Sequence, residues 1–92
     1  MKKIEIIPMA KKKMERRRIP EEWVTETINS PAQTVEGYGR RNVAQKKYMV
    51  KDKQYLLRVV YEGREEVNVV VTAYLTSQVE RYWKGEEDED SI

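Results

Sequence analysis

Arg58 stands in the middle of a run, Gln54 to Tyr61, that otherwise alternates for burial. A guanidinium in that setting can clamp a phosphate through two parallel N–H bonds, or it can tie to Glu62 or Asn68 as part of the surface. Tyr74 follows Thr72 on the next apolar run and could stack on a base or hand over a proton, although tyrosine is also an ordinary strand residue. Two groups of cations accompany them. Lys11, Lys12, Lys13, Arg16, Arg17 and Arg18 form the denser one, and Arg40, Arg41, Lys46 and Lys47 form the second. Basic patches attract phosphates by releasing counterions and supply affinity without sequence specificity. The competing reading is a solvated helix face in a lysine-rich protein.

Several chemistries are excluded by what the chain lacks. It has no cysteine and no histidine, so disulfide frameworks, thiol redox chemistry and zinc sites fall away, and carboxylates are the only strong metal ligands left. No metal and no cofactor is expected. There is no glycine-rich phosphate loop, no Ser/His/Asp set and no supported pair of catalytic carboxylates. No apolar run reaches the ~18 to 20 residues of a membrane span, and the N-terminal Met1-Lys2-Lys3-Ile4 does not lead into a signal-peptide core. The expected location is cytoplasmic, away from any membrane.

The elements that must position these residues can be read in order. Lys3 to Ile7 alternates and forms a first strand ended by Pro8. Met9 to Arg18 places Ala10, Met14 and Arg17 or Arg18 on one stripe of a helix that is basic elsewhere. Pro20-Glu21-Glu22 opens a second helix, because proline suits the first turn and acids there meet the positive end of the dipole. It runs to Asn29, burying Trp23 or Val24 with Thr27 and Ile28. Gln33 to Glu36 makes a short strand before the Gly37-Tyr38-Gly39 turn.

Three longer strands follow, at about 42 to 50, 54 to 61 and 66 to 75, with Lys51-Asp52-Lys53 and Glu62-Gly63-Arg64-Glu65 as their connections. Such short links force antiparallel neighbours. Tyr55, Leu57, Val59 and Tyr61 share one face, and Val67, Val69, Val71, Ala73 and Leu75 share another. A two-residue turn at Gly63-Arg64 would set these two faces out of register. Burial should prevail, with a bulge absorbing the difference. Thr76 to Lys84 supplies a short terminal helix or strand. The expected fold class is therefore α+β, β-α-α-β-β-β(-α), an antiparallel sheet packed by two N-terminal helices.

A chain of 92 residues supports one core, here residues 1–84. Residues 85–92 are expected to be a disordered acidic tail. The tail holds five acids, so the formal net charge of +2 becomes +7 without it. A domain this small buries roughly 60 to 65 per cent of its unfolded surface, so a partner or a second copy would add stability. The abundance of Lys and Glu with little Asn fits a heat-adapted source.

This element order resembles the RelE/ParE superfamily of small toxins. Particular residues are similar to a related family of uncharacterised domains whose first helix begins His-Ala and ends Arg-Gly-Ile. Met9-Ala10 and Arg17-Arg18-Ile19 stand at those positions, followed by Ser30-Pro31 and by Val70-Val71-Thr72-Ala73-Tyr74, over roughly residues 9 to 75. Met9 occupies the histidine position. The resemblance implies a toxin-like RNA-binding domain, a metal-independent endoribonuclease cleaving ribosome-bound mRNA through a ribose 2′-hydroxyl, and an antitoxin partner. It marks Arg17, and it adds Arg81 to Arg58 and Tyr74 as catalytic candidates, with Lys12, Lys13, Arg16, Arg17, Arg40, Arg41, Lys46 and Lys47 as RNA contacts. Inhibition of DNA gyrase, as in ParE-like relatives, and a non-catalytic interaction module are the other functions this fold would carry.

Overall fold

A computed structural model describes residues 2–84; the acidic segment 85–92, and with it the expectation of a disordered tail, lies outside the described residues. The order is β1 (Lys3–Ile6), α1 (Pro8–Arg16), α2 (Glu21–Asn29), β2 (Gln33–Glu36), β3 (Arg41–Val50), β4 (Lys53–Gly63), β5 (Val67–Thr76) and α3 (Val79–Tyr82). One five-stranded sheet runs β1-β5-β4-β3-β2. The β2-to-β5 meander is antiparallel as expected. The sheet as a whole is mixed, because β1 lies parallel to β5, with Lys3 beside Val67 and Ile6 beside Val70. Two helices separate β1 from the meander, and that long connection permits the parallel pairing that a hairpin forbids.

Helices α1 and α2 cover one face. Ala10, Met14, Ile19, Val24 and Ile28 pack on Leu57, Val59, Val70 and Ala73, and Ile4, Ile6, Tyr61 and Leu75 close the margin. Helix α2 is fastened by Tyr48, whose ring stacks on Trp23 with centroids 4.3 Å apart. The Tyr48 hydroxyl donates to the Glu26 carboxylate, and the Trp23 carbonyl stands 3.3 Å away as a second acceptor for the same proton.

Helix α1 ends in a left-handed cap. The Arg18 and Ile19 N–H groups return to the Glu15 and Met14 carbonyls at 3.1 and 2.9 Å, while Arg18 takes φ +58° and Ile19 drops into the core. This is the Schellman arrangement, in which a residue at positive φ lets two orphan carbonyls find donors. It explains why a glycine suits the middle of an Arg-Gly-Ile sequence, and here that place is taken by Arg18.

Two turns differ from expectation. The β3–β4 connection is two residues rather than three: Val50 pairs with Lys53, and Lys51 and Asp52 both have positive φ, as a type I′ hairpin requires. A three-residue loop would have set Lys46 opposite Arg58, two like charges in direct cross-strand contact. The two-residue loop sets Gln45 there instead. The β4–β5 turn centres on Glu65-Glu66, bounded by the Arg64 N–H to Val67 carbonyl bond of 2.8 Å, so Gly63 belongs to β4 and not to the turn.

The expected bulge is present, where pairing shifts from Val60↔Thr72 to Tyr61↔Val70. Its consequence revises the strand's faces. Val70 and Ala73, three apart, both reach the helix-covered core, whereas Val67 and Val69 turn to the opposite face. No helix among the described residues is long and apolar enough to cross a membrane.

Candidate nucleic-acid interface

The face of the sheet opposite α1 and α2 carries one polar row that crosses four strands. The register places Gln33 beside Gln45, Gln45 beside Arg58, and Arg58 beside Tyr74. Residues directly opposite across a sheet stand on the same face, and these four are bonded end to end. Arg58 donates from Nε to Gln45 Oε1 at 2.9 Å and from Nη1 to the Tyr74 hydroxyl at 2.6 Å. Gln45, 0 % exposed, donates from Nε2 to Gln33 Oε1 at 2.8 Å and to the Tyr82 carbonyl at 3.0 Å.

Helix α3 is set over this row by the same amides. Beside the Gln45 bond, the Lys84 N–H donates to Gln33 Oε1 at 3.0 Å, and Gln33 Nε2 donates back to the Lys84 carbonyl. The strap brings the Tyr82 ring to 4.2 Å from the Arg58 guanidinium carbon, cation–π distance. Lys47, two residues along β3 from Gln45 and on the same face, holds its ammonium 4.0 Å from the centre of the Trp83 ring.

Arg58 is thus half-buried, and all its partners among the described residues are neutral: an amide oxygen, a phenol and an aromatic face. Removing a charge from water without a counter-charge is costly. An arriving anion offsets that cost, and planar guanidinium geometry suits phosphate oxygens. Glu62, the expected alternative partner, is engaged elsewhere, 3.8 Å from both Arg41 and Arg64.

Of the residues singled out from sequence, the structure brings Arg58, Tyr74, Arg81 and Lys47 to this one face around α3. Arg81 is exposed on α3, bonded to Gln78 Oε1 at 3.2 Å and 5.6 Å from the Tyr82 ring. The rest lie apart. Lys12, Lys13 and Arg16 belong to α1 on the other side of the sheet, Arg40 ends the β2–β3 turn, Arg41 opens β3 opposite Glu62, and Lys46 pairs with Leu57 on the helix-covered face. Arg17 reaches the edge of β5, donating to the Ala73 carbonyl at 2.8 Å and standing 3.5 Å from Thr72 Oγ1, just beyond the point where β1 stops. Arg17-Arg18-Ile19 and Val71-Thr72-Ala73 therefore meet in space. Lys11 faces Glu21, at 3.8 Å. Met9 is 65 % exposed at the start of α1.

Gln33 and Gln45 were not among the residues read as functional. The signal was the two-residue turn: counting outward from Lys51-Asp52 puts Gln45 opposite Arg58, whereas a three-residue loop hides the pair.

A family model described as "Domain of unknown function (DUF4258)" matches residues 10–75, and the chain belongs to that family. The matched stretch holds Gln33, Gln45, Arg58 and Tyr74, while α3 with Arg81 and Tyr82 follows it. No curated protein and no solved structure matches the chain.

Proposed function

We propose that this member of the family is a toxin-like RNA-binding domain of the RelE/ParE superfamily, acting in the cytoplasm, and that it cleaves mRNA until an antitoxin covers the basic face around α3. The observation that carries this reading is Arg58, a half-buried guanidinium at the centre of a sheet face, held among the described residues by neutral partners and flanked by Lys47 and Arg81.

In that reaction a ribose 2′-hydroxyl attacks the adjacent phosphorus, the bond from phosphorus to the 5′-oxygen breaks, and a 2′,3′-cyclic phosphate and a 5′-hydroxyl result. Arg58 stabilises the charge that builds on the phosphoryl oxygens. Tyr74, bonded to Arg58, gives its proton to the departing 5′-oxygen, and the guanidinium then faces the phenolate left behind. The proton of the 2′-hydroxyl passes to water or to an RNA group. No metal enters the scheme.

A second reading, a non-catalytic interaction module, is favoured by one observation. Among the described residues the polar and aromatic partners of Arg58 are Gln45, Tyr74 and Tyr82, and none of these is an ordinary proton acceptor at neutral pH. Induced expression separates the two. Growth arrest by the wild type but not by a folded Arg58→Ala, Arg81→Ala variant, with 5′-hydroxyl ends appearing in mRNA, is the expected result. Equal arrest by both chains would remove this site, and no arrest by either would leave the non-catalytic module.

A further inference from the structure

An open groove of about 700 Å³ lies beside the Arg58 row, between the tip of the β3–β4 hairpin and α3. Lys47 and Gln54 form its sheet wall, and Ser77, Gln78, Glu80 and Arg81 form the other. It adjoins the Arg58 centre through shared rings: Tyr82 lies against both Arg58 and Arg81, and Trp83 lies against Lys47. Resting on the RNA-binding reading above, we infer that this groove is a base-reading subsite that takes an unpaired nucleotide next to the phosphate at Arg58, and that it prefers a base bearing an exocyclic amino group.

The argument runs through what each wall can donate and accept. Among the described residues neither Lys47 nor Arg81 pairs with a carboxylate, and both line the groove along which backbone phosphates would pass. Gln54 is exposed and its carboxamide bonds to no other described residue, which leaves a donor and an acceptor side by side for a base edge. Met49 is paired with Gln54 across the hairpin and 62 % exposed, a soft apolar surface for a base to lie on. Glu80 can only accept when ionised, and the Gln78 oxygen is already taken by Arg81. Adenine and cytosine offer an amino group beside a ring-nitrogen acceptor, matching Gln54 and Glu80 together. Uracil offers no amino group; its single N3–H donor sits between two carbonyl oxygens, which the Glu80 carboxylate would meet on either side. A duplex would bury these edges in base pairs.

Anisotropy titrations of the full chain with labelled RNA 12-mers at several salt concentrations test this. An oligo-A strand is expected to bind about tenfold tighter than oligo-U and tighter than a 12-bp duplex. The Gln54→Ala, Glu80→Ala variant should equalise oligo-A and oligo-U. Lys47→Ala should keep their ratio while lowering the slope of log affinity against log salt by about 0.7, the value for one phosphate contact on a single strand. Circular dichroism confirms that each variant is folded. Equal binding of oligo-A and oligo-U by the wild type, or a ratio that survives the double substitution, would overturn the subsite while leaving RNA binding intact. Failure of every oligonucleotide to bind would overturn the RNA-binding reading, and the subsite with it.

Discussion

Tyr48 and Arg58 stand on adjacent strands but face opposite sides of the sheet, and they use hydrogen bonding to different ends. Tyr48 is a fastener. Burial, with the hydrogen bond to Glu26 behind it, pushes its phenol above the ordinary value near 10. The phenol is therefore less willing to ionise in the folded chain than in the unfolded one. Its contribution to stability is intact below pH ~10 and is lost as pH climbs through the raised folded value. Tyr48→Phe should cost about 1 kcal/mol at neutral pH by deleting the one O–H that the Glu26 carboxylate and the Trp23 carbonyl share. It should also flatten the alkaline fall in stability relative to wild type. Urea midpoints measured at pH 7, 9 and 11 check both parts, and a parallel alkaline decline in the two proteins would show that Tyr48 is not its source. Arg58, by contrast, has neutral partners that hold its geometry without cancelling its charge, which is what a phosphate site requires.

At the scale of elements, the end of α1 makes the clearest prediction. A non-glycine residue in the left-handed region costs roughly 1–2 kcal/mol, and glycine returns part of that gain as unfolded-chain entropy. Arg18→Gly should therefore stabilise the domain by about 0.5–1 kcal/mol, raising the melting temperature by several degrees. Thermal melts would refute the strained cap if the variant melted lower. This position also shows what the sequence made legible. The helices, the meander and the need for a bulge follow from local signals: the proline starts, the burial stripe of Ala10 and Met14, the alternation of Tyr55 to Tyr61. The parallel placement of β1 does not, because Lys3-Ile4-Glu5-Ile6 alternates identically whichever strand it joins and in whichever direction. Nor does the polar row. It depends on whether the β3–β4 loop holds two residues or three, and one residue of slip replaces the Gln45–Arg58 bond by a Lys46–Arg58 repulsion. Arg58 and Tyr74 could be singled out one at a time; that they touch is a property of register.

Across the whole molecule, cations occupy both sides of the sheet, with α1 on one and the Arg58, Lys47 and Arg81 group on the other, so the protein presents a positive field to a polyanion from most directions. The sequence then sets five acids, Glu86 to Asp90, one glycine beyond the last basic residue, Lys84. Their effect on nucleic-acid affinity follows from charge alone. Ending the chain at Lys84 changes the formal net charge from +2 to +7, and repulsion between those acids and RNA phosphates disappears. The shortened chain should bind a single-stranded RNA on the order of tenfold tighter at low salt, where the screening length is roughly 30 Å. At 1 M salt, with screening over about 3 Å, the two chains should converge. Titrations from 10 mM to 1 M salt would settle the matter. An advantage that persists unchanged at high salt would mean that the acids act through a short-range contact with the site, whereas no advantage at low salt would show that the interface lies beyond their field.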